Sequence, residues 1–405
     1  MLKNKNILIG ITGSISVYKS LELIRLYIKA GANVKVIMTQ ASQKFVSALS
    51  FETISQAKIL DDTNEDWDKD SLYNHITIGK WADIFILCPL SANTINKLSN
   101  GIADNILSQT VLAYNKKILL CPAANTNMLE NPITRESLKK LKNNGMTIVE
   151  PLVKELACRD IGKGALADIS DIYYESIKIL KEDEYWKNRK VVISGGGTVE
   201  KIDDVRYISN FSSGKMAASL ALALYLKGAN VVLVTTRGYE NLPLGLNIKE
   251  VTSSKEMHEH LEQELNIDES LKKPYLFMVA AVSDYLPSLE ISGKLKKEDL
   301  GNEWNLLLNQ NLDILNQLNK EKVYSIGFKA ETNKKTAKKN ALSMLENKNL
   351  DAVCLNIINE NNPFGGNNNE IELLLKNEAY SFKGSKLDIS FDLITSLKKL
   401  FNDKS

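Results

Sequence analysis

The chain has 405 residues, of which 44% are hydrophobic and 25% are charged, and its formal net charge is +2. This composition is typical of globular proteins, and the length suggests two or three domains. A net charge so close to zero argues against a nucleic-acid-binding module and against a membrane-surface protein, because both depend on an excess of positive charge.

Apolar runs in the first half predict strands, and apolar residues at helical spacing predict the helices between them. The strands are expected at 7–10, 34–38, 83–88, 117–121 and 147–150, and the helices near 17–30, 92–99, 103–113, 133–143 and 170–181. This alternation predicts a parallel sheet with helices on both faces. The polar segment 61–71 interrupts the pattern and is expected to be an exposed loop.

The second half repeats this pattern. Strands are expected at 190–194, 230–235, 275–280, 323–326, 351–356, 370–375 and 379–382, and helices at 214–227, 254–266, 332–347 and 387–401, with a turn-rich loop at 359–369. The sequence therefore predicts an α/β protein of two doubly wound, Rossmann-like domains, 1–187 and 188–405, joined in the acidic and aromatic segment 181–189. Neither half has G-x-G-x-x-G after its first strand, so a generic NAD site is weakly supported.

Both halves begin with a strand, a small-residue loop, a helix and a glycine. From Ile7 to Gly31 is 24 residues and from Val191 to Gly228 is 37, so the second copy has 13 extra residues between strand and helix. In open α/β folds this loop lies at the carboxyl end of the strand, where ligands bind. The long loop is therefore predicted to be functional, although an ordinary surface insertion would give the same spacing.

The four cysteines, Cys88, Cys121, Cys158 and Cys354, are scattered and include no CxxC pair. This spacing indicates reduced thiols of a cytosolic protein, and neither a disulfide framework nor a zinc site. The first predicted strand begins at Ile7 without a secretory apolar segment before it, and no apolar run approaches about 18 residues. A soluble, cytoplasmic protein is therefore expected.

Several loops of the first half follow predicted strands and carry small or polar residues: ITGSIS (11–16), CPLSANT (88–94) and PAANTNM (122–128). Small side chains in ITGSIS expose backbone N–H groups that suit a phosphate, although a plain tight turn would explain the same loop. His75 is one of three histidines, and Cys158 lies beside Arg159, a neighbour that favours a reactive thiolate. A structural histidine and a spectator thiol are the alternatives.

Together these residues resemble the family of flavin-dependent cysteine decarboxylases. PLSANT is similar to the PASANT motif of that family, and PAANTNML is similar to PxMNxxMW. ACRDIGKGAL is similar to the lid motif ACGDxGxGRM, with Arg159 in a glycine position and Ala165-Leu166 in place of Arg-Met.

This resemblance implies FMN as the cofactor and a set of residues around it. The implied FMN-binding residues are Gly13, Ser14, Ile15, Thr39, Ser91, Asn93 and Thr94. His75 is implied to exchange protons, Asn125 to bind the substrate carboxylate, and Cys158 to donate a proton from the lid.

Segments of the second half resemble the ligase half of the bifunctional decarboxylase–ligase family of coenzyme A synthesis. They are DDVRYISNFSSGKM (203–216), AAVSDY (280–285), SGKLKK (292–297), GFKAET (327–332) and KNLD (348–351), and the resemblance extends over residues 5–400. In that family CTP activates 4'-phosphopantothenate as an acyl-cytidylate, which cysteine then attacks. Without the resemblance, SGKLKK reads as a solvated basic turn.

The resemblance assigns roles in this ligase half as well. The implied CTP-binding residues are Asp284, Lys294, Leu312, Asp313, Ile314, Leu315, Phe328, Met344 and Lys348. Lys294 is implied to act in activation, and Arg206 and Asn210 in the attack by cysteine, with Mg²⁺ neutralising the phosphates. The metal ligands are not indicated. Met344 occupies a position that is commonly lysine, so two alternatives are open: Lys338 or Lys339 compensates, or CTP binds more weakly.

The resemblance also implies trimeric flavoprotein units, with FMN near subunit contacts, and dimeric ligase units, hence a dodecamer acting on small-molecule substrates. Two other functions remain open from the residues alone. A hydride-transfer oxidoreductase would use the same Rossmann-like halves, but the dinucleotide fingerprints are missing. A non-catalytic flavin-binding scaffold would not need His75, Asn125 and Cys158 together.

Overall fold

The computed structural model describes residues 1–68, 71, 73–156, 159, 161–239, 242–266, 272–360, 362–363 and 365–401. The chain divides into two compact units, Met1–Lys181 and Glu182–Ser405. The division lies at 181/182 rather than near residue 187, because Trp186 is buried in the second unit, with its ring centroid 4.8 Å from that of Tyr275.

The first unit is built on a parallel sheet. Its strands are β1 (Asn6–Ile11), β2 (Asn33–Met38), β3 (Ile84–Leu90), β4 (Ile118–Pro122), β5 (Thr147–Ile148), β6 (Leu152–Glu155) and β7 (Ile161–Ala165). The order β2-β1-β3-β4-β5 is parallel throughout, and β6 and β7 form a separate antiparallel hairpin. The strand order reverses between β1 and β3, which makes their carboxyl ends the expected ligand site.

Helices of the first unit flank this sheet. They are α1 (Lys19–Lys29), α2 (Ala48–Ser55), α3 (His75–Trp81), α4 (Ala92–Ser99), α5 (Ile106–Ala113), α6 (Thr126–Glu130), α7 (Pro132–Asn143) and α8 (Ile169–Lys181), with short 3-10 helices at Ile15–Tyr18 and Ser42–Lys44. Strand β3 is buried along its whole length, as the continuous apolar run IFILCPL predicts for a central parallel strand.

Two local features of the first unit differ from the sequence prediction. Helix α3 begins at His75 because the side chain of Asn74 accepts hydrogen bonds from the backbone N–H groups of Ile76 and Thr77. The segment expected to be an exposed loop has no helix or strand over 61–68, but its first residue, Asp61, is buried. Its carboxylate accepts hydrogen bonds from Thr63 and Gln43, which explains how the charge is accommodated.

The second unit has a larger, mixed sheet. Its strands are β8 (Lys190–Gly195), β9 (Val199–Lys201), β10 (Tyr207–Ser209), β11 (Asn230–Thr235), β12 (Asn247–Glu250), β13 (Tyr275–Met278), β14 (Tyr285–Pro287), β15 (Leu308–Gln310), β16 (Tyr324–Glu331), β17 (Ala352–Ile357), β18 (Asn368–Leu374) and β19 (Ala379–Ser385). The order is β12-β11-β8-β13-β16-β17-β18-β19, antiparallel only at β18 and β19, with the order reversing between β8 and β13.

Helices of the second unit are α9 (Lys215–Leu226), α10 (Ser254–Leu265), α11 (Lys297–Leu300), α12 (Ile314–Gln317), α13 (Lys334–Asn347) and α14 (Lys386–Leu400). Most of α9 is buried, which its apolar sequence ALALYL requires. The long loop after β8 forms the antiparallel pair β9–β10. The prediction of two doubly wound α/β domains is confirmed, and within the part of the chain that the structure describes no helix is both long and apolar enough to cross a membrane.

Candidate functional sites

A cavity of about 1000 Å³ lies at the carboxyl ends of β1 to β4 in the first unit, across the point where the strand order reverses. Its walls include each residue that the sequence analysis assigned to the cofactor, together with Asn125: Gly13, Ser14, Ile15, Thr39, Ser91, Asn93, Thr94 and Asn125. Loops that are far apart in sequence meet here because the carboxyl ends of parallel strands share one edge of the sheet.

Thr12 joins two of these loops. Its hydroxyl donates a hydrogen bond to the carbonyl oxygen of Pro89 at 2.8 Å and accepts one from the backbone N–H of Ser91 at 2.7 Å. A Cβ atom on Gly13 would lie 2.8 Å from the Cβ of Ala41, so a side chain there would displace its neighbour. The loop therefore presents backbone to the cavity, which fits a phosphate-bearing planar cofactor of FMN size.

Hairpin β6–β7 packs closely on the segment that carries Asn125. The N–H of Ala124 donates to the carbonyl oxygen of Gly164 at 3.2 Å. A Cβ atom on Gly162 would lie 2.2 Å from Thr126 Oγ1, and one on Gly164 would lie 2.3 Å from the Ala124 oxygen. Glycine at both positions lets the hairpin reach the cavity wall.

The segment 157–164 was predicted to be a flexible loop with one thiol, and its last residues belong to β7. Cys158 lies outside the described residues. Arg159 is described, and its φ of 68° lies in the left-handed region that the glycine of the lid motif adopts freely. An L-residue in that region costs about 1–2 kcal/mol, so Arg159 bears a backbone strain that a glycine would avoid.

His75 is separated from the residues around Gly13, because it lies at the start of α3 and does not line the cavity of its own unit. Its Nδ1 lies 2.7 Å from Glu65 Oε1, and its ring meets Trp67 edge to face at a centroid distance of 5.3 Å. Sequence reasoning missed Glu65, because no motif marks a carboxylate ten positions before a histidine.

Charged residues that the sequence analysis did not single out also line the cavity. Lys97 and Asp104 form an ion pair of 2.6 Å, and the hydrogen bond from Lys97 lowers the pKa of the Asp104 carboxyl. Asp62 accepts a hydrogen bond of 2.7 Å from the N–H of Ile106 at the start of α5. These groups add fixed charge to a wall that also contains small and apolar residues.

The second unit has a cavity of about 570 Å³ at the carboxyl ends of β13 and β16. Most of the predicted ligase residues line it: Asn210, Asp284, Leu312, Asp313, Ile314, Leu315, Phe328, Met344 and Lys348. Asn210 is fixed there because its side-chain amide donates to the carbonyl oxygen of Val282 at 2.9 Å. Ser283 Oγ in the same wall is buried and has no hydrogen-bond partner among the described residues, which fits a polar ligand.

Two lysines supply positive charge to this cavity. Lys348 forms an ion pair of 2.9 Å with Asp313, and Lys329, which the sequence analysis did not select, also lines the wall. Lys338 instead pairs with Glu372 at 2.8 Å, and neither Lys338 nor Lys339 is among the described lining residues. Lys329 and Lys348 are therefore the lysines that line this cavity among the described residues.

A smaller cavity of about 180 Å³ in the second unit adjoins the cavity of about 570 Å³ and shares Phe328 and Lys329 with it. Ser212 and Ser213 line it just before α9, together with the buried Lys386. Burial, and then the nearby charge of Lys215, lowers the pKa of Lys386.

Arg206 and Lys294 do not line either of these two cavities. The Arg206 guanidinium donates to the carbonyl oxygen of Leu295 and lies over the ring of Trp304 at 5.4 Å. Arg206 thus holds the loop that carries Lys294 through the backbone of the next residue, Leu295.

Asp203 and Asp204 also hold this loop. The buried Asp203 carboxylate accepts hydrogen bonds from the backbone N–H groups of Val205, Arg206 and Leu295, and Asp204 accepts one from Gly293. Burial acts to raise the pKa of Asp203, but the three N–H donors outweigh it and keep that pKa below its usual range. Among the described residues, no group of three acidic, histidine or cysteine side chains is arranged to hold a metal.

Comparisons with known proteins match each half of the chain to a protein family. The family described as Flavoprotein matches residues 1–181, and the DNA/pantothenate metabolism flavoprotein C-terminal domain matches residues 186–400. The chain is 34% identical, over 401 residues, to the coenzyme A biosynthesis bifunctional protein CoaBC of Haemophilus influenzae, covering 98% of each. It is 35% identical over 408 residues to that of Bacillus subtilis, covering 99% of this chain and 98% of the relative.

Among solved structures, the chain is similar to a PPC decarboxylase mutant complexed with pantothenoylaminoethenethiol. The identity is 32% and the TM-score 0.41, over 44% of this chain and 98% of that one. The full-length identities and the two domain matches together lead to one conclusion: the chain belongs to the family of bifunctional coenzyme A biosynthesis proteins CoaBC.

Proposed function

We propose that this chain catalyses two consecutive steps of coenzyme A synthesis. The second unit joins 4'-phosphopantothenate to cysteine with CTP, and the first unit decarboxylates the product to 4'-phosphopantetheine with FMN. The observation that carries this proposal is the presence, in one chain of this family, of two strand-end cavities, one lined by the predicted FMN-binding residues and the other by most of the predicted CTP-binding residues.

In the first unit, bound FMN would supply the redox chemistry that makes loss of CO2 possible. The backbone of Gly13 and Ser14 would bind its phosphate, and the side chains of Ser91 and Thr94 would contact its polar edges. Asn125 would bind the substrate carboxylate through its amide, while His75 and Cys158 would move protons.

A second copy of the chain completes this site. His75 does not line the cavity of its own unit, and apolar side chains on the cavity wall are exposed: Ile15 at 56%, Tyr18 at 57% and Met128 at 51%. A neighbouring copy would cover these side chains and bring its own His75 to the cavity, as a trimeric flavoprotein unit requires.

In the second unit, Asp284, Phe328 and Lys348 would hold CTP, and Asn210 would act where cysteine attacks the activated carboxylate. The start of α9 and the adjoining Lys386 suit phosphate groups. Mg²⁺ would be bound mainly by the nucleotide phosphates and water, since this ion commonly takes only one or two protein carboxylates.

Lys294 is proposed to serve the cavity of a second copy. Asp203, Asp204 and Arg206 hold its loop, so a large movement of the loop within one chain would break three hydrogen bonds, two of them partly buried. Val205 and Tyr207, which flank Arg206 in sequence, are each 58% exposed, and Leu289 and Leu307 of the same unit are 70% and 75% exposed. A dimeric ligase unit, which with the trimer would build a dodecamer, would bury them.

The buried thiols of Cys88, Cys121 and Cys354 are free, which supports a reducing, cytoplasmic location. Purified full-length protein should show a flavin absorption band and release FMN on acid denaturation. With 4'-phosphopantothenate, cysteine and CTP it should release pyrophosphate, CMP and CO2. A colourless protein that releases no pyrophosphate would contradict the proposal.

Co-expression of two differently tagged inactive chains tests the shared sites. Lys294→Gln mixed with Asn210→Asp should restore about a quarter of wild-type ligation if each site uses one residue from each chain of a dimer. His75→Asn mixed with Asn125→Ala tests the decarboxylase site in the same way. If mixing restores no activity although mixed oligomers form, the sites lie within single chains.

A further inference from the structure

Glu65 and His75 form a close side-chain pair, and the proposed decarboxylation gives a role to His75 alone. Glu65 Oε1 lies 2.7 Å from Nδ1 of His75 and also accepts a hydrogen bond of 3.4 Å from the His75 backbone N–H. Both side chains are largely buried, with 17% of His75 and 21% of Glu65 exposed. One carboxylate oxygen therefore contacts both the ring and the backbone of the same histidine.

The orientation of the imidazole is fixed from more than one side. Asn74 caps α3 and thereby sets the backbone of His75, and Trp67 packs edge to face against the ring at 5.3 Å. Glu65 and Trp67 lie in the loop before α3, so this loop holds the ring while the helix holds its backbone.

The chemistry of the pair decides which ring nitrogen carries a proton. An ionised carboxylate can only accept a hydrogen bond, so Nδ1 must be the donor. Nδ1 keeps its proton in the neutral ring as well as in the charged ring, and only Nε2 gains and loses one. No described residue forms a hydrogen bond with Nε2.

We infer that Glu65 is a positioning residue that fixes the Nδ1–H tautomer of His75 and so reserves Nε2 for proton exchange with the decarboxylase substrate. This inference rests on the proposed role of His75. Carboxylate–imidazole pairs in other enzymes act through the same physical effect, because the wrong tautomer presents a proton where a lone pair is needed.

An ordinary ion pair that only fastens the loop to α3 is the alternative, and the tautomer distinguishes the two. Full-length protein labelled with 15N-histidine contains only three histidines, of which His258 and His260 lie in α10. Subtracting the spectrum of His75→Asn isolates the His75 signals. The wild type is expected to show a protonated Nδ1 and an unprotonated Nε2, and Glu65→Ala is expected to shift protonation toward Nε2.

The kinetic readout is decarboxylation of supplied 4'-phosphopantothenoylcysteine. Glu65→Ala should lower kcat by about tenfold to a hundredfold with little change in KM, and Glu65→Asp should recover part of the loss. Asp66→Ala is the matched control, since Asp66 lies in the same loop and its side chain accepts from the N–H of Asp68 instead. Flavin content and pyrophosphate release should be normal in all three variants.

An unchanged His75 tautomer in Glu65→Ala overturns the inference, as does an equal loss of kcat in Asp66→Ala. The proposed function fails in a different way, namely if His75→Asn decarboxylates at the wild-type rate. If His75→Asn is inactive while Glu65→Ala keeps full activity, the role of His75 stands and that of Glu65 falls.

Discussion

Arg206 donates a hydrogen bond to the carbonyl oxygen of Leu295, 89 positions further along the chain and next to Lys294. Arg206, expected to act in the attack by cysteine, thereby holds the loop of Lys294, which is expected to act in activation. The buried carboxylate of Asp203 accepts from the N–H groups of Arg206 and Leu295, so it ties both segments together. The position of Lys294 depends on these hydrogen bonds more than on its own exposed side chain.

Lys294→Gln should abolish formation of the acyl-cytidylate, because a neutral amide cannot stabilise the negative charge that develops on the phosphate. Loss of such a contact costs about a hundredfold to a thousandfold in rate. The measurement is pyrophosphate release, with decarboxylation of supplied 4'-phosphopantothenoylcysteine expected to remain normal. Asn210→Asp should instead let the acyl-cytidylate accumulate. If Lys294→Gln releases pyrophosphate at the wild-type rate, Lys294 has no role in activation and is only a charged surface residue.

Asp203→Asn should slow pyrophosphate release by about tenfold, because an amide oxygen accepts hydrogen bonds less strongly than the carboxylate that holds Leu295. The KM for CTP should change little, since Asp203 does not line the nucleotide cavity. Steady-state kinetics at varied CTP separates these effects. Asp204→Asn, which retains an acceptor for Gly293 at an exposed position, should have a smaller effect, and equal losses in both variants would contradict the ranking.

Gly162→Ala should lift hairpin β6–β7 from the segment that carries Asn125, because the added methyl group would lie 2.2 Å from Thr126 Oγ1. Decarboxylation should fall by about tenfold or more, since a small misplacement of a lid disturbs the reacting geometry, while FMN binding and ligation persist. Gly79→Ala is the matched control in the same unit, because its methyl group would meet Tyr114 at an ordinary 3.7 Å. Equal decarboxylation rates in the two variants would exclude a role for the close approach.

Met344→Lys should lower the KM for CTP, because Met344 lies on the cavity wall beside Lys348. One additional phosphate contact is worth about 1–2 kcal/mol, or roughly a tenfold change in affinity. The Met344 side chain also packs on Gly327 and the core, so some thermal stability should be lost. Lys338→Met, outside the cavity, should leave the KM unchanged. An unchanged KM in Met344→Lys would mean that Lys329 already meets the requirement for charge.

Asp183→Asn should lower the Tm of the second unit at neutral pH, because both Asp183 oxygens lie 2.8 Å from Lys398 Nζ in α14. Burial raises the pKa of Asp183, but the bond to Lys398 and the Tyr185 N–H outweigh it, and the pKa is lowered. A loss of about 1 kcal/mol corresponds to about 2–4 °C.

The pH dependence of that difference follows from the lowered pKa. The stabilisation is fully present above the unfolded aspartate pKa of about 3.9 and is lost as the pH falls through the folded value. The Tm difference between wild type and Asp183→Asn should therefore be constant at neutral pH and shrink in acid. Glu370→Gln, in the exposed pair with Lys383, should change Tm little at any pH, and a constant Asp183→Asn difference down to strong acid would contradict the argument.

The sequence predicted the large elements because their burial pattern is local. Strand β3 reads as one apolar run, and α14 has apolar residues at helical spacing with an N-terminal serine cap. Helix α3 was missed because it has seven residues and depends on the Asn74 cap. Hairpin β6–β7 was missed because the glycines in IGKGA read as a loop until their contact with 124–126 is known.

Cavity walls were predictable to the extent that they lie at strand ends, as for Gly13 and Asp284. The contacts that orient reacting groups were not predictable, because they join residues that are distant in sequence and come together only in the folded chain. Glu65 meets His75 across a loop, and Arg206 meets Leu295 across much of a domain. No pattern of residue types within one segment carries that information.

The long loop after β8 lies between two cavities of the second unit, whereas the shorter loop after β1 borders a single cavity of about 1000 Å³. Asn210 lines the cavity of about 570 Å³, and the next residues, 211–214, line the neighbouring one of about 180 Å³. The loop is thus a partition with Asn210 at its edge, whereas the first unit keeps an undivided volume suited to a flat ring. A reactant that extends from one of these cavities into the other would pass the segment that begins at Asn210. The extra length of this loop therefore places Asn210 where the two cavities meet.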